Sequence, residues 1–279
     1  MDNFAPGNQV GTEADKPHTM SVTVFVATTD KAVKEQRHAA ALKVIELFGD
    51  RFSDLRVKVL LDRTDWPKMK AHGAENRGAF YPVNESVYRG TGWPERLRDE
   101  LATVDQVAWK LVYKCEAAVY LHNSTCQQPD MLTMTLAHEL QHFFQYASAR
   151  EMWAYNTLVT QLHQDTIAAC KLTVHDIPIE REARIVAKRA SEAILGLDAT
   201  AAYIDSRISS GSVDRDIADW KRIKEIAVSP DNEYDCAGET RRLFQRLRPI
   251  RTELEETLMR LRGNSDFANL NLDGAFGPE

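Results

Sequence analysis

The sequence predicts an α+β fold in which a small N-terminal β-sheet with covering helices precedes a half that is nearly all helix. Two observations carry this. Short β-branched or alternating apolar runs are confined to the stretch before His122, and from Asp130 onward the apolar residues recur at helical spacing. With 279 residues, 43% of them apolar and 27% charged, the chain can bury a sizeable core.

Taken in order, residues 1–20 are polar and carry Pro6, Gly7, Gly11 and Pro17, which predicts a disordered leader. They hold no apolar stretch of the kind a secretory signal needs. Ser21 to Val26 reads as a strand, and residues 31–49 form a helical face through Val33, Ala40, Leu42, Val44, Ile45 and Leu47. Leu55 to Leu61 alternates as a second strand, and a weaker strand is expected over Ala79 to Tyr88. Pro94 suits the first turn of a helix reaching Val112. Ala117 to Leu121 is a short strand before the polar stretch His122 to Pro129. Helices are then expected at 130–149, 152–172, 179–195, 198–208, 212–228 and 236–262, the last broken by Pro249. The expected organisation is a leader (1–20), an α/β part with an edge strand (21–129), a helical part with the site (130–263) and a flexible tail (264–279).

Charge and cysteine usage narrow the function classes. Lys and Arg total 35 against 41 Asp and Glu, a net charge of −6, which excludes an overall nucleic-acid-binding charge. The arginines between Glu239 and Arg262 are interleaved with glutamates, as on a solvated or packing face. Gly90 to Pro94 is a turn and no phosphate loop, because no G-K-[ST] follows. No apolar run approaches the roughly 18 residues that span a bilayer. Cys115, Cys126, Cys170 and Cys236 show no C-x-x-C spacing, so reduced thiols and a cytoplasmic location are expected.

The chemistry is concentrated in Thr135-Leu136-Ala137-His138-Glu139-Leu140-Gln141-His142-Phe143-Phe144, which contains H-E-x-x-H. Residues i and i+4 share a helix face, so His138 and His142 can aim ring nitrogens at one metal ion. Glu139 is rotated by about a quarter turn, placing its carboxylate beside such an ion. There it can take a proton from water and deliver it to a leaving amine. Imidazole and carboxylate ligands suit Zn2+. Between Met131 and Ala149 no charged residue other than Glu139 occurs, and two histidines and a carboxylate in so apolar a helix cost desolvation unless partnered. A third ligand must come from elsewhere, and Glu151, His163, Asp165, His175, Asp176, Glu180 and Glu182 are the candidates.

These ten residues resemble the active-site helix of the zincin metallopeptidases. The metzincin pattern is absent, since Gln145 and Ser148 stand at its Gly and last His positions. Ile177 to Ala187 resembles the third-ligand helix of the gluzincins, including the compact ImmA/IrrE-like and M48-like types. The resemblance implies a zincin-like fold, with Glu180 as third zinc ligand and Ala183 and Ala187 as small residues admitting close helix packing. Arg184 departs from it: the family has Asp or Asn there to orient a ligand histidine, and an arginine cannot accept that N–H. Either the histidine is oriented differently or Glu182 is the ligand.

The resemblance also implies an edge strand above the metal that aligns an extended substrate, a role matched by Ala117 to Leu121. A donor to the developing oxyanion is required, with Tyr146, Tyr155, His163, His175 and Tyr203 as candidates. The expected activity is zinc-dependent peptide-bond hydrolysis with Glu139 as general base. The expected partner is a peptide or protein substrate, a regulatory protein among the candidates, with neither membrane nor nucleic acid. The alternative is a zincin-like regulatory or binding protein without peptidase activity.

Overall fold

The computed structural model describes residues 22–49, 57–63, 78–82, 117–210, 214–226, 234–263 and 267–276. The expected leader and the helix expected over 94–112 lie outside the described residues.

Among the described residues, four strands form one sheet: β1 (Val22–Val26), β2 (Val57–Arg63), β3 (Gly78–Pro82) and β4 (Ala117–His122), in the order β1-β2-β4-β3. β1, β2 and β4 run parallel, and β3 runs antiparallel to β4. The pairing sets Val24 beside Val59, and Val59 beside Val119. Side chains alternate across a strand, so this register gathers Val22, Val24, Val26, Val57, Val59, Leu61, Val119 and Leu121 on one face. All eight are buried.

Two helices cover that face. In α1 (Lys31–Glu46), the Asp30 side chain accepts from the backbone N–H groups of Ala32 and Val33, a capping arrangement that sets the helix start. After the short α2 (Asn123–Cys126), α3 (Pro129–Ser148) opens with Pro129 at its first position. Ala41, Val44 and Ile45 of α1 join Leu132, Leu136, Leu140 and Phe143 of α3 in one core with the sheet. The boundary expected at residue 129/130 therefore runs through a single packing unit.

The remainder is helical, so the fold is α-rich with a few short strands. α4 (Arg150–Thr160) and α5 (Gln164–Ala169) replace the single helix expected at 152–172. The break falls where the His163 side chain accepts from the Asp165 N–H and starts a new helix. α6 (Pro178–Leu195), α7 (Leu197–Ser210) and α8 (Asp214–Glu225) follow. Pro249 interrupts the next stretch as expected, giving α9 (Cys236–Arg246), a 3₁₀ turn (Arg248–Ile250) and α10 (Arg251–Leu261).

The expectation of a loose tail at 264–279 is corrected over the described residues. Phe267, Leu270, Leu272 and Phe276 are buried, and α11 (Leu272–Phe276) docks with the Phe276 ring 5.6 Å from that of Phe244. A composition rich in Asn, Asp and Gly hid four apolar anchors. A second correction concerns Ala117 to Leu121. β4 is paired on both sides, by β2 and by β3, so it is an interior strand; among the described residues, the edge beside α3 is β3.

Among the described residues, no helix is long and apolar enough to cross a membrane. Cys126, Cys170 and Cys236 are free thiols.

Candidate metal centre

α3 and α6 pack along one another, and the site lies where the start of α6 meets the second half of α3. Ala183, Ala187 and Ala190 are buried along α6 and admit the approach. Glu180 falls in the first turn of α6, where the helix dipole favours a carboxylate.

The structure brings His138, His142 and Glu180 together. The two Nε2 atoms are 3.0 Å apart. Glu180 Oε2 is 3.4 Å from His138 Nε2, and its Oε1 is 3.3 Å from His142 Nε2. Tetrahedral zinc, with bonds of about 2.0–2.1 Å, separates its ligand atoms by roughly 3.3–3.4 Å. The two imidazole nitrogens each face a different oxygen of the Glu180 carboxylate at about that spacing, and one ligand atom from each of the three residues lies within 4.8 Å of the others. These residues form a cluster that could hold a metal ion.

The electrostatics fit a mutually dependent group. Burial opposes charge on Glu180, yet His142 and His138 beside it hold its carboxyl well below the usual range. Burial likewise opposes a charged His142, but Glu180 and Glu139 push its pKa up to about 9. A bound cation would replace that proton opposite Glu180. Glu139 behaves differently: burial raises its carboxyl above the ordinary range, against the pull of His138 and His142. It also accepts from the Phe80 backbone N–H, which ties the HExxH helix to β3.

Gly78 makes that proximity workable. A Cβ there would stand 2.7 Å from Thr135 Cγ2 and 3.0 Å from the Tyr120 carbonyl oxygen. Only a residue without a side chain lets β3 lie so close to α3. An aromatic wall completes this side: Phe80 packs with Phe143, Tyr146 and Trp153, and the Trp153 ring lies 5.6 Å from that of His142.

The other candidate ligands are engaged elsewhere. Glu182 accepts from Gln145 Nε2 at 2.7 Å and from the Cys236 thiol, whose pKa is raised by burial and by this carboxylate. Asp176 accepts from Thr173 and faces Arg181 and Arg222. Glu151, His163 and Asp165 are exposed. Arg184 reaches Glu180 Oε2 at 3.5 Å and donates to His175 Nδ1 at 2.7 Å, so it braces the carboxylate rather than a histidine.

Of the residues considered as oxyanion donors, His175 is linked to the cluster through Arg184. Tyr155 donates to the Asn271 carbonyl, and Tyr203 packs on Trp220 in a separate core. Tyr146 lies in the aromatic wall, with the Arg150 guanidinium 3.8 Å from its ring centre.

Sequence reasoning passed over Gln145, Gly78, Phe80 and Trp153. Gln145 carried one signal: it is an uncharged polar residue three positions past His142, hence on the same helix face.

No family model matches the chain, and no curated protein or solved structure matches it.

Proposed function

We propose that the chain is a zinc-dependent peptidase in which Glu139 is the general base. The observation that carries this reading is the burial of Glu139 beside the triangle of His138, His142 and Glu180. A site serving only to brace the fold has no use for a fourth, non-ligating carboxyl with a raised pKa at that place.

His138, His142 and Glu180 would hold the ion, leaving one coordination position open. Zinc, when bound, supplies a Lewis acid toward a water and a carbonyl oxygen. Glu139 accepts the proton of the attacking water, and its burial-raised pKa suits holding that proton until the leaving amine takes it. His142 and His138 keep Glu180 ionised, and Arg184, 3.5 Å from its Oε2, helps to hold the carboxylate toward the two imidazoles. The substrate-aligning role passes from β4 to β3, which is the edge strand among the described residues and contacts Glu139 through the Phe80 N–H. The partner is a peptide or protein with an extended segment, and a regulatory protein fits that description.

The test is zinc analysis of the purified chain together with cleavage of a proteome-derived peptide library by wild type and Glu139→Gln. Stoichiometric zinc in both proteins and cleavage by the wild type alone are expected. Zinc bound without cleavage by either would leave the regulatory or binding-protein reading in its place.

A further inference from the structure

Gln145 is nearly fully buried, and its side-chain amide is placed by three contacts. Its Nε2 donates to the Ile179 carbonyl oxygen at 2.9 Å and to Glu182 Oε2 at 2.7 Å. Its Oε1 lies 2.9 Å from His142 Nδ1. An amide nitrogen has two protons and no lone pair to offer, whereas a carbonyl and a carboxylate can only accept. The two acceptors at 179 and 182 therefore fix which end of the amide is nitrogen. The oxygen must face His142, and His142 Nδ1 must be the donor.

We propose that Gln145 is a positioning residue that sets the tautomer of His142. With the proton held on Nδ1, the lone pair of Nε2 is turned toward His138 and Glu180, as a metal ligand requires. The proposal rests on the zinc reading above for its consequence, though the hydrogen-bond polarity is a property of the metal-free chain. It also accounts for Arg184. The acceptor that orients an imidazole is supplied here from the HExxH helix itself, one turn after the ligand it serves. The position on α6 is thereby released to an arginine that braces Glu180. Glu182 is then an anchor two bonds removed from the ring, and the Ile179 carbonyl is a second anchor on the same helix. The contact between Gln145 and Glu182 spans 37 residues of sequence. It couples the orientation of His142 to the docking of α6, the helix that brings Glu180.

The experiment compares full-length wild type, Gln145→Met and the exchanged pair Gln145→Glu with Glu182→Gln. Zinc affinity is read by competition with a chromophoric chelator. Gln145→Met keeps the length of the side chain without its acceptor, and should bind zinc about 10–100-fold more weakly. The exchanged pair keeps an acceptor toward His142 and a donor between positions 145 and 182 but loses the donor to the Ile179 carbonyl, and should recover part of that loss. Equal affinity of Gln145→Met and wild type overturns the proposal, as does an exchanged pair no better than Gln145→Met. In parallel, ¹⁵N spectra of the metal-free chain should show a His142 Nδ1 proton shielded from exchange, which Gln145→Met opens to water. If the wild type binds no zinc, the peptidase reading fails, and the spectra still decide the role of Gln145: an unprotonated or freely exchanging Nδ1 in the wild type overturns it.

Discussion

Helices α3 and α6 each open with a proline and each aim side chains at the same point, yet their construction differs. α3 is buried over most of its surface, with Leu132, Leu136, Leu140 and Phe143 against the sheet and Met131 and Met134 against α7 and α8. Of its polar side chains, His138, Glu139, His142 and Gln145 gather at the site. α6 is amphipathic: Ile179, Ala183, Ile185, Ala187 and Ala190 are buried, while Arg181, Arg184, Lys188 and Arg189 are partly exposed. The local spacing of α3 is enough to define two candidate ligands and the proposed base. α6 contributes one candidate ligand, and nothing local distinguishes that glutamate from others on the same helix. The comparison teaches that a motif within one helix turn is a local property, while the ligand that completes it is a property of helix packing.

The sharpest way to break this comparison is to remove a ligand from each helix. His142→Ala should lose zinc by more than the ~100-fold that loss of a supporting contact costs, together with some stability, since metal ligation is coupled to folding. Metal analysis after gel filtration checks it; stoichiometric zinc in both His138→Ala and His142→Ala would remove the site from α3. Next comes chemistry without ligation. Glu139→Gln should keep zinc and lose about 10²–10⁴-fold in hydrolysis, measured as kcat/KM on a substrate from the library. A Gln variant as fast as wild type would mean another base.

On α6, Glu180→Ala should weaken zinc binding more than Glu182→Ala, because Glu180 faces both Nε2 atoms whereas Glu182 acts through Gln145. An anomalous-scattering map with Glu182, Glu151 or His163 on the metal would reverse that order. Packing offers a smaller effect. Ala183 is fully buried at the crossing, and Ala183→Leu should destabilise the fold by about 1–3 kcal/mol in urea unfolding. Stability equal to wild type would mean the helices are not closely packed there.

The smallest effect is a pH dependence just ahead of α6. Burial opposes charge on Asp176, but hydrogen bonds from Thr173 and the Arg222 and Arg181 guanidinium groups lower its carboxyl pKa below the ordinary 3.8. A depressed folded-state pKa contributes stability that is fully present above the unfolded value and is lost as pH falls through the folded one. Acid unfolding of wild type and Asp176→Asn should therefore differ at neutral pH and converge as pH falls through the lowered folded-state value. Parallel curves throughout would mean that the pairing adds nothing.

Much of the molecule was legible because its signals are local. The strand at Val22–Val26 follows from β-branching, the break between α9 and α10 from Pro249, and the two-histidine face from a spacing of four on a helix. Where longer-range competition decides, the sequence was silent or misleading. Ala117 to Leu121 reads the same whether a strand neighbours it on one side or two, so only the pairing with β3 shows it to be interior. The docking of 267–276 depends on Phe244 offering a place for Phe276, which no window of sequence contains.

The site divides along the same line. His138, Glu139 and His142 are set by 3.6-residue periodicity, which acts over a single turn and is written wholly within H-E-x-x-H. Choosing Glu180 over Glu182 depends on the rotation of α6 about its axis, because residues two apart on a helix point about 200° apart. That rotation is set by Ala183, Ala187 and Ala190 settling against α3, and by Gln145 hydrogen-bonding the Ile179 carbonyl and Glu182. Gly78 carries its meaning only when β3 lies against Thr135. The sequence by itself determined the chemistry available on one helix; the tertiary structure decided which carboxylate, which edge strand and which amide complete it, because those choices are made by surfaces that meet only after the chain has folded.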